Sequence, residues 1–188
     1  APLNQFNPAI AAGGAGGFVV AWTYFDGSGD AVVGRRIDAS GTPVSGDVLI
    51  YEEKDIGFYV GLSATQSQKF ICIDIHDHET SEVHTIDSDT PESEPRLILA
   101  RRKGHQYGVE HHSYYFIITT NSNDSEDFRI AAVPCHYAQE ENWIEIVPHK
   151  PGRLIIETAV FGNFMTRLER EDGLPRIVIT PLKDTPVY

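Results

Sequence analysis

The stretch KFICIDIH at Lys69–His76 and the stretch SEVHTID at Ser81–Asp87 decide the fold class. In the first stretch Ile71, Ile73 and Ile75 occupy every second position, which is the side-chain period of a β-strand. The second stretch alternates in the same way, and a short polar segment separates the two. This arrangement predicts two neighbouring strands joined by a turn.

The same alternation recurs along the whole chain in four groups. The predicted strands are 8–12, 17–24, 31–38 and 47–51; 58–64, 69–76, 81–87 and 96–100; 106–110, 114–120, 128–134 and 143–147; and 153–161, 163–169 and 175–180. We therefore predict an all-β protein of about four β-propeller blades, each of four antiparallel strands, closed on itself or completed by oligomerisation. A stacked or sandwich arrangement is the alternative.

The fourth group is one strand short. Either Pro186–Tyr188 or Leu3–Phe6 can supply the missing strand, and pairing of the two chain ends in one sheet would close a ring. An arc left open would instead expose strand edges and apolar faces, which favours self-association into a dimer or a higher oligomer.

The charge balance excludes two classes of partner. The chain carries 15 basic and 27 acidic residues, a formal net charge of −12, which repels phosphate backbones and anionic lipid surfaces. We expect no nucleic-acid and no membrane partner. The apolar runs are too short to span a bilayer, and Ala1–Asn7 lacks the features of a signal peptide, so the chain is expected to be soluble.

Two cysteines, Cys72 and Cys135, stand far apart beside apolar runs. They form no C-x-x-C pair, so neither a disulfide framework nor a thiolate zinc site is indicated. We expect both to be small buried hydrophobic residues.

The loop Asp26-Gly-Ser-Gly-Asp30 is a candidate calcium site, because Asp26 and Asp30 offer two carboxylates on a loop that can also present carbonyl groups. Two carboxylates are few for calcium, and aspartate and glycine are also the usual residues of a hairpin turn. No other cofactor is expected. The histidines at 76, 78 and 84 and at 105, 111 and 112 are interpreted as structural or solvent-exposed rather than metal ligands.

The run Arg101-Arg102-Lys103 is the densest basic cluster in an acidic chain. Such a cluster can dock a carboxylate or an acidic neighbouring domain, so Arg101, Arg102 and Lys103 are candidate partner-facing residues. A solvated loop is the alternative interpretation.

From Asp47 onward the sequence resembles the N-terminal β-propeller domain of oligopeptidase B, in the prolyl oligopeptidase family. The stretches that carry this resemblance are VLIYEEKDIGFYVGLSATQSQKFICIDI (48–75), TSEVHTID (80–87), EPRLILARRKGHQYGVEHH (94–112), YYFIITTNS (114–122), DFRIAAVP (127–134) and WIEIVPHKPGRLIIETAVFGNFMTRLEREDGLPRIVI (143–179). The resemblance extends over residues 47–180 and implies three blades in residues 47–188.

Residues 1–46 are similar instead to repeats of large secreted RTX-type bacterial proteins, on the stretches NPAIAA, GGFVVAW and DGSGDAVVGRRIDASGTPVSGD. We therefore expect a first blade of separate origin, in a chimeric or engineered chain that still forms one structural domain. The peptidase resemblance implies a cytoplasmic location, and the repeat resemblance a secreted one.

The resemblance implies that a catalytic α/β-hydrolase domain accompanies the propeller in the intact peptidase. That domain requires a G-x-S-x-G turn to expose its nucleophile. The nearest string here, Gly61-Leu-Ser-Ala-Thr65, lacks the final glycine, so we predict no catalytic residues and no enzyme activity. The leading hypothesis is a non-catalytic propeller scaffold or binding module. The alternative is a substrate-gating propeller domain of a serine oligopeptidase.

Overall fold

The structure is a computed structural model that describes residues 4–12, 17–25, 29–44, 46–91 and 93–182. These residues form antiparallel sheets that group into two compact units, Ala1–Ala100 and Arg101–Tyr188.

The first unit contains two four-stranded sheets, in each of which neighbouring strands are consecutive in the chain. The strands of the first sheet are β1 (Asn4–Ala12), β2 (Phe18–Phe25), β3 (Asp30–Ile37) and β4 (Val48–Glu53), and those of the second are β5 (Tyr59–Ala64), β6 (Phe70–His76), β7 (Ser81–Asp87) and β8 (Arg96–Leu99).

The core of the first unit lies between its two sheets. Ile71, Ile73 and Ile75 project from one face of β6 and are fully buried, and they pack against Ala21 and Val32 of the first sheet. Burial of each such isoleucine contributes roughly 1.5–3 kcal/mol relative to exposure. The period-two pattern in KFICIDIH therefore places a buried apolar row between the two sheets.

The second unit has one four-stranded sheet and one three-stranded sheet. The third sheet contains β9 (Tyr107–His112), β10 (Tyr115–Thr120), β11 (Arg129–Pro134) and β12 (Ile144–Val147), and the fourth contains β13 (Arg153–Val160), β14 (Phe164–Glu171) and β15 (Leu174–Pro181). Ile117 and Ile130 of the third sheet pack against Ile155, Val160 and Met165 of the fourth.

The β14–β15 hairpin shows how the local sequence sets a turn. Asp172 and Gly173 connect the strands, and both have positive φ, at 52° and 77°. A two-residue loop with positive φ at both positions is the type I′ turn that Asp-Gly favours. Its twist matches that of the strands, so β14 and β15 pair along their whole length.

The predicted all-β fold of antiparallel four-stranded blades is confirmed, with the fourth sheet one strand short among the described residues. Asn4 pairs with Phe25, so the proposal that Leu3–Phe6 completes the last sheet is wrong for Asn4–Phe6, which form the start of β1. Pro186–Tyr188 lies outside the described residues, and ring closure stays a prediction.

Two smaller expectations also have an outcome in the structure. Cys72 and Cys135 are buried, and neither forms a disulfide, as expected. Among the described residues, helices are too short and polar to cross a bilayer.

Candidate functional site

The candidate site is a groove in the second unit that begins at the turn before β9. The His105 N–H donates to the Arg102 carbonyl oxygen over 2.9 Å, and Gly104 adopts a positive φ of 78°. A left-handed conformation of this kind favours glycine. Arg102, Lys103 and His105 of this turn all line the groove.

Arg102 makes a two-point contact with a carboxylate from a distant part of the chain. Its Nη1 and Nη2 donate to Oε2 and Oε1 of Glu140 over 2.7 and 2.8 Å. Parallel hydrogen bonds of this type are the preferred way for arginine to hold a carboxylate. The side chains are 51% and 26% exposed, so water reaches the pair.

His105 forms the buried base of the groove and is 5% exposed. Its Nε2 lies 2.9 Å from Thr120 Oγ1, and its Nδ1 lies 3.3 Å from Nη2 of Arg102. Arginine can only donate, so Nδ1 accepts and the proton is on Nε2. Burial, and then the charge of Arg102, lower the pKa of His105, which keeps the ring neutral near pH 7.

Two aromatic rings pack against His105. Tyr107 stacks on the imidazole at a centroid distance of 5.4 Å, and Trp143 lies 6.5 Å from it. The indole Nε1 donates to the Ala138 carbonyl oxygen over 3.0 Å, which fixes the ring of Trp143. These contacts restrict the motion of His105 and, through its Nδ1, of the Arg102 guanidinium.

The opposite wall is the turn that follows β10. Asn121 accepts the Gln106 N–H over 2.8 Å and donates from Nδ2 to the Gly104 carbonyl oxygen over 2.9 Å, so it ties the two walls together. Asn123, also in the wall, has a positive φ of 58°. The open groove between the walls has a volume of about 490 Å³.

The charges in the groove favour an anion. Arg102 and Lys103 are cationic and Glu140 is the one carboxylate in the lining. Lys103 forms no ion pair with any residue that the structure describes. The groove therefore carries a net positive charge on a chain whose formal charge is −12.

A family model described as the prolyl oligopeptidase N-terminal β-propeller domain matches residues 33–187. The chain belongs to the prolyl oligopeptidase family. The part of the family that it matches is the N-terminal propeller domain.

Two relatives agree with this family assignment. The chain is 28% identical over 156 residues to dipeptidyl aminopeptidase BI of Pseudoxanthomonas mexicana, which is 80% of this chain and 21% of that protein. It is 34% identical over 137 residues to Protease 2 of Moraxella lacunata, which is 73% of this chain and 19% of that protein. The chain thus spans about a fifth of the length of these relatives.

Among solved structures, the chain is similar to oligopeptidase B from Trypanosoma brucei with covalently bound antipain, in its closed form. The TM-score is 0.77 at 26% identity, over 90% of this chain and 24% of that one. The resemblance expected from residues 47–180 is therefore confirmed. The family match begins at residue 33, within β3, and the separate origin of residues 1–46 stays a prediction.

The structure unites part of the predicted basic cluster with residues that the sequence did not indicate. Arg102 and Lys103 line the groove, whereas Arg101 is not among its lining residues. Glu140 stands 38 positions from Arg102, and no spacing rule connects them. A partner-facing role of Arg101, Arg102 and Lys103 stays a prediction.

The candidate calcium loop is only partly described, since Asp26 lies outside the described residues. Asp30 begins β3, and its Oδ2 accepts the N–H of Val60 over 3.2 Å, which links the two sheets of the first unit. Calcium binding by Asp26 and Asp30 stays a prediction. No group of three or more His, Cys, Asp or Glu side chains suited to a metal occurs in the part of the chain that the structure describes.

A second arginine–carboxylate cluster lies inside the fourth sheet. Glu169 is 1% exposed, and its carboxylate accepts from Arg167 Nε over 2.8 Å and from Arg176 Nε over 3.1 Å. Arg153 Nε lies 3.7 Å away. Burial alone would raise the pKa of Glu169, but the hydrogen bonds from Arg167 and Arg176 outweigh it and hold the pKa below its usual range.

Proposed function

We propose that this chain is part of a serine oligopeptidase propeller that limits which substrates reach a catalytic domain supplied by the rest of the protein. The observation that carries the proposal is the match of residues 33–187 to the N-terminal propeller of the family. The likeness to closed oligopeptidase B supports the same role. We place this substrate-gating function ahead of an independent scaffold.

A filter for substrate size must be rigid, because an aperture that opens by local unfolding excludes nothing. Each unit has a core of the kind that rigidity requires. Ile71, Ile73 and Ile75 are fully buried in the first unit, and Ile117 and Ile130 are buried in the second. Close-packed interiors have few voids and low compressibility, so these sheets resist deformation.

A domain exchange tests the proposal. The segment of Protease 2 that aligns with this chain is replaced by the corresponding residues of the chain, and cleavage of a short arginine ester, a longer peptide and casein is compared. We expect the folded chimera to cleave the ester and to exclude casein. A monodisperse chimera that cleaves casein as readily as a propeller-deleted enzyme would overturn the proposal.

A second candidate is a self-associating scaffold, in which another copy of the chain completes the propeller. The observation that favours it is the outer face of the fourth sheet. Ile177 and Ile179 are 73% and 65% exposed on the same face of β15, and Ile156 of β13 is half-exposed. Exposed apolar side chains of this kind are typical of a contact surface.

Molar mass in solution tests self-association. We expect sedimentation equilibrium to give a dimer or larger species for the natural chain and a monomer for the Ile177→Lys, Ile179→Lys double variant. Lys54→Gln, a change of an exposed residue outside the fourth sheet, is the control and should leave the assembly intact. A natural chain that stays monomeric at high concentration contradicts this candidate.

A further inference from the structure

The side chains that line the Arg102 groove are of the kind that bind a ligand, and Glu140 of the chain itself contacts the guanidinium there. A guanidinium with a two-point partner, an adjacent lysine without an ion pair among the described residues and a polar opposite wall surround an open volume of about 490 Å³. The partner, Glu140, comes from a three-residue 3-10 turn, Glu140–Asn142, that has no side-chain cap. A carboxylate held from so short a turn can leave by side-chain rotation alone.

We propose that the Arg102 groove binds a carboxylate group of a peptide, from an acidic side chain or a C-terminus, and that Glu140 holds the same place when no ligand is bound. The inference does not depend on the gating function.

The energetic balance favours exchange over a permanent internal pair. An exposed ion pair contributes little to stability, because water competes for both charges. An incoming carboxylate replaces one such pair at Arg102 and gains a second cation, Lys103, which forms no ion pair among the described residues. The displaced Glu140 side chain, already 26% exposed, regains full hydration.

The groove is also preorganised, which lowers the entropy lost on binding. His105 accepts from Arg102 and donates to buried Thr120, so the guanidinium stays oriented when Glu140 leaves. Asn121 bridges Gln106 and Gly104 and keeps the opposite wall in place. Neither support uses Glu140, so both persist in the ligand-bound state.

Binding of small peptide analogues to the full chain tests the proposal. The probes are N-acetylglutamate amide for a side-chain carboxylate, N-acetylglycylglycine for a C-terminus and N-acetylglutamine amide as the neutral control, followed by the His105 ring signals in NMR titrations. We expect one or both acids to bind and the glutamine analogue not to bind. The stronger acid identifies the source of the carboxylate, and failure of both overturns the proposal.

Variants separate this site from general charge attraction. Glu140→Gln removes the internal competitor and should tighten binding of the acids roughly threefold or more, on the scale of one exposed ion pair. Arg102→Gln should abolish binding. Arg102→Lys should weaken binding, because lysine lacks the planar guanidinium that holds a carboxylate at two points. The control Arg170→Gln removes an equal charge outside the groove and should have no effect.

The increase in affinity expected for Glu140→Gln tests the proposal even if Arg102→Gln fails to fold. The charge of Glu140 raises the pKa of His105. The Glu140→Gln variant should therefore lower the pKa of His105, and a bound acid should restore that pKa. Unchanged affinity in Glu140→Gln, or equal loss in Arg170→Gln and Arg102→Gln, would show that no specific carboxylate site exists.

Discussion

The second unit holds two arginine–carboxylate sites that share their chemistry and differ in their access to water. Arg102 and Glu140 meet at the surface, with the guanidinium side chain half-exposed. Arg167 and Glu169 meet inside the fourth sheet, where both side chains are nearly inaccessible. The hydrogen-bond distances are similar, at 2.7–2.8 Å and 2.8 Å.

The comparison shows that hydrogen-bond geometry alone does not assign a role to an ion pair. In the open site water stabilises each separated charge, so the partners can exchange and the site can serve binding. In the buried site Glu169 and Arg167 would lack water if they separated, so this pair stays formed, and the ion pairs of Glu169 with Arg153 and Arg176 link β13, β14 and β15. The first is a functional feature and the second a structural one.

The largest expected effect is at the buried carboxylate. Glu169→Gln leaves Arg167 and Arg153 without their anion in the interior of the sheet, and should lower the free energy of unfolding by about 3–5 kcal/mol. Urea unfolding followed by circular dichroism measures it. A loss as small as that of a surface pair would show that the cluster is not structural.

The pH dependence of stability provides a second test of the buried Glu169 cluster. The pKa of Glu169 is lower in the folded chain than in the unfolded chain, so its ionised form contributes stability above the unfolded value, about 4.3. That contribution should be lost as the pH falls through the lower folded pKa. Unfolding free energies at several acidic pH values should fall more steeply for the natural chain than for Glu169→Gln. Parallel curves would contradict the assignment.

Asp74 in β6 is a carboxylate that accepts a hydrogen bond from a hydroxyl group, whereas Glu169 accepts from arginines. Burial raises its pKa, and the hydroxyl of Ser63 donates to it over 2.9 Å. Its charged form is therefore unfavourable in the folded chain, and natural stability should decline as the pH rises through the raised pKa. Asp74→Asn keeps the hydrogen bond and should stabilise the chain by about 1 kcal/mol at neutral pH. Ser63→Ala, which removes the donor, should act in the opposite direction, and thermal unfolding of both variants checks this.

The smallest effect should come from the open site. Glu140→Gln removes an exposed ion pair and should change the free energy of unfolding by less than about 1 kcal/mol. The measurement is the same urea titration used for Glu169→Gln. An equal loss in the two variants would remove the distinction between the sites.

The strands could be predicted from the sequence because their signal is local. In KFICIDIH the alternation that marks β6 also selects the buried row, and the Asp172-Gly173 pair marks the turn between β14 and β15. These features depend on neighbouring residues, so no knowledge of the rest of the fold is needed. The missing strand of the fourth sheet was visible for the same reason.

The candidate site could be predicted only in part, because its signal is not local. Arg102 was indicated by the density of charge in its own segment, but Glu140 is a glutamate in a polar turn like many others. The contact of Glu169 with Arg176 depends on the β14–β15 register, which places them directly opposite each other. Such pairs become visible only after the strands are paired.

We propose that this chain is a propeller part that selects substrates by size. The ratio of ester cleavage to casein cleavage in the Protease 2 chimera that carries this chain measures that selection. We expect a ratio close to that of intact Protease 2. A ratio close to that of the enzyme without its propeller, in a chimera shown to be folded, would contradict it.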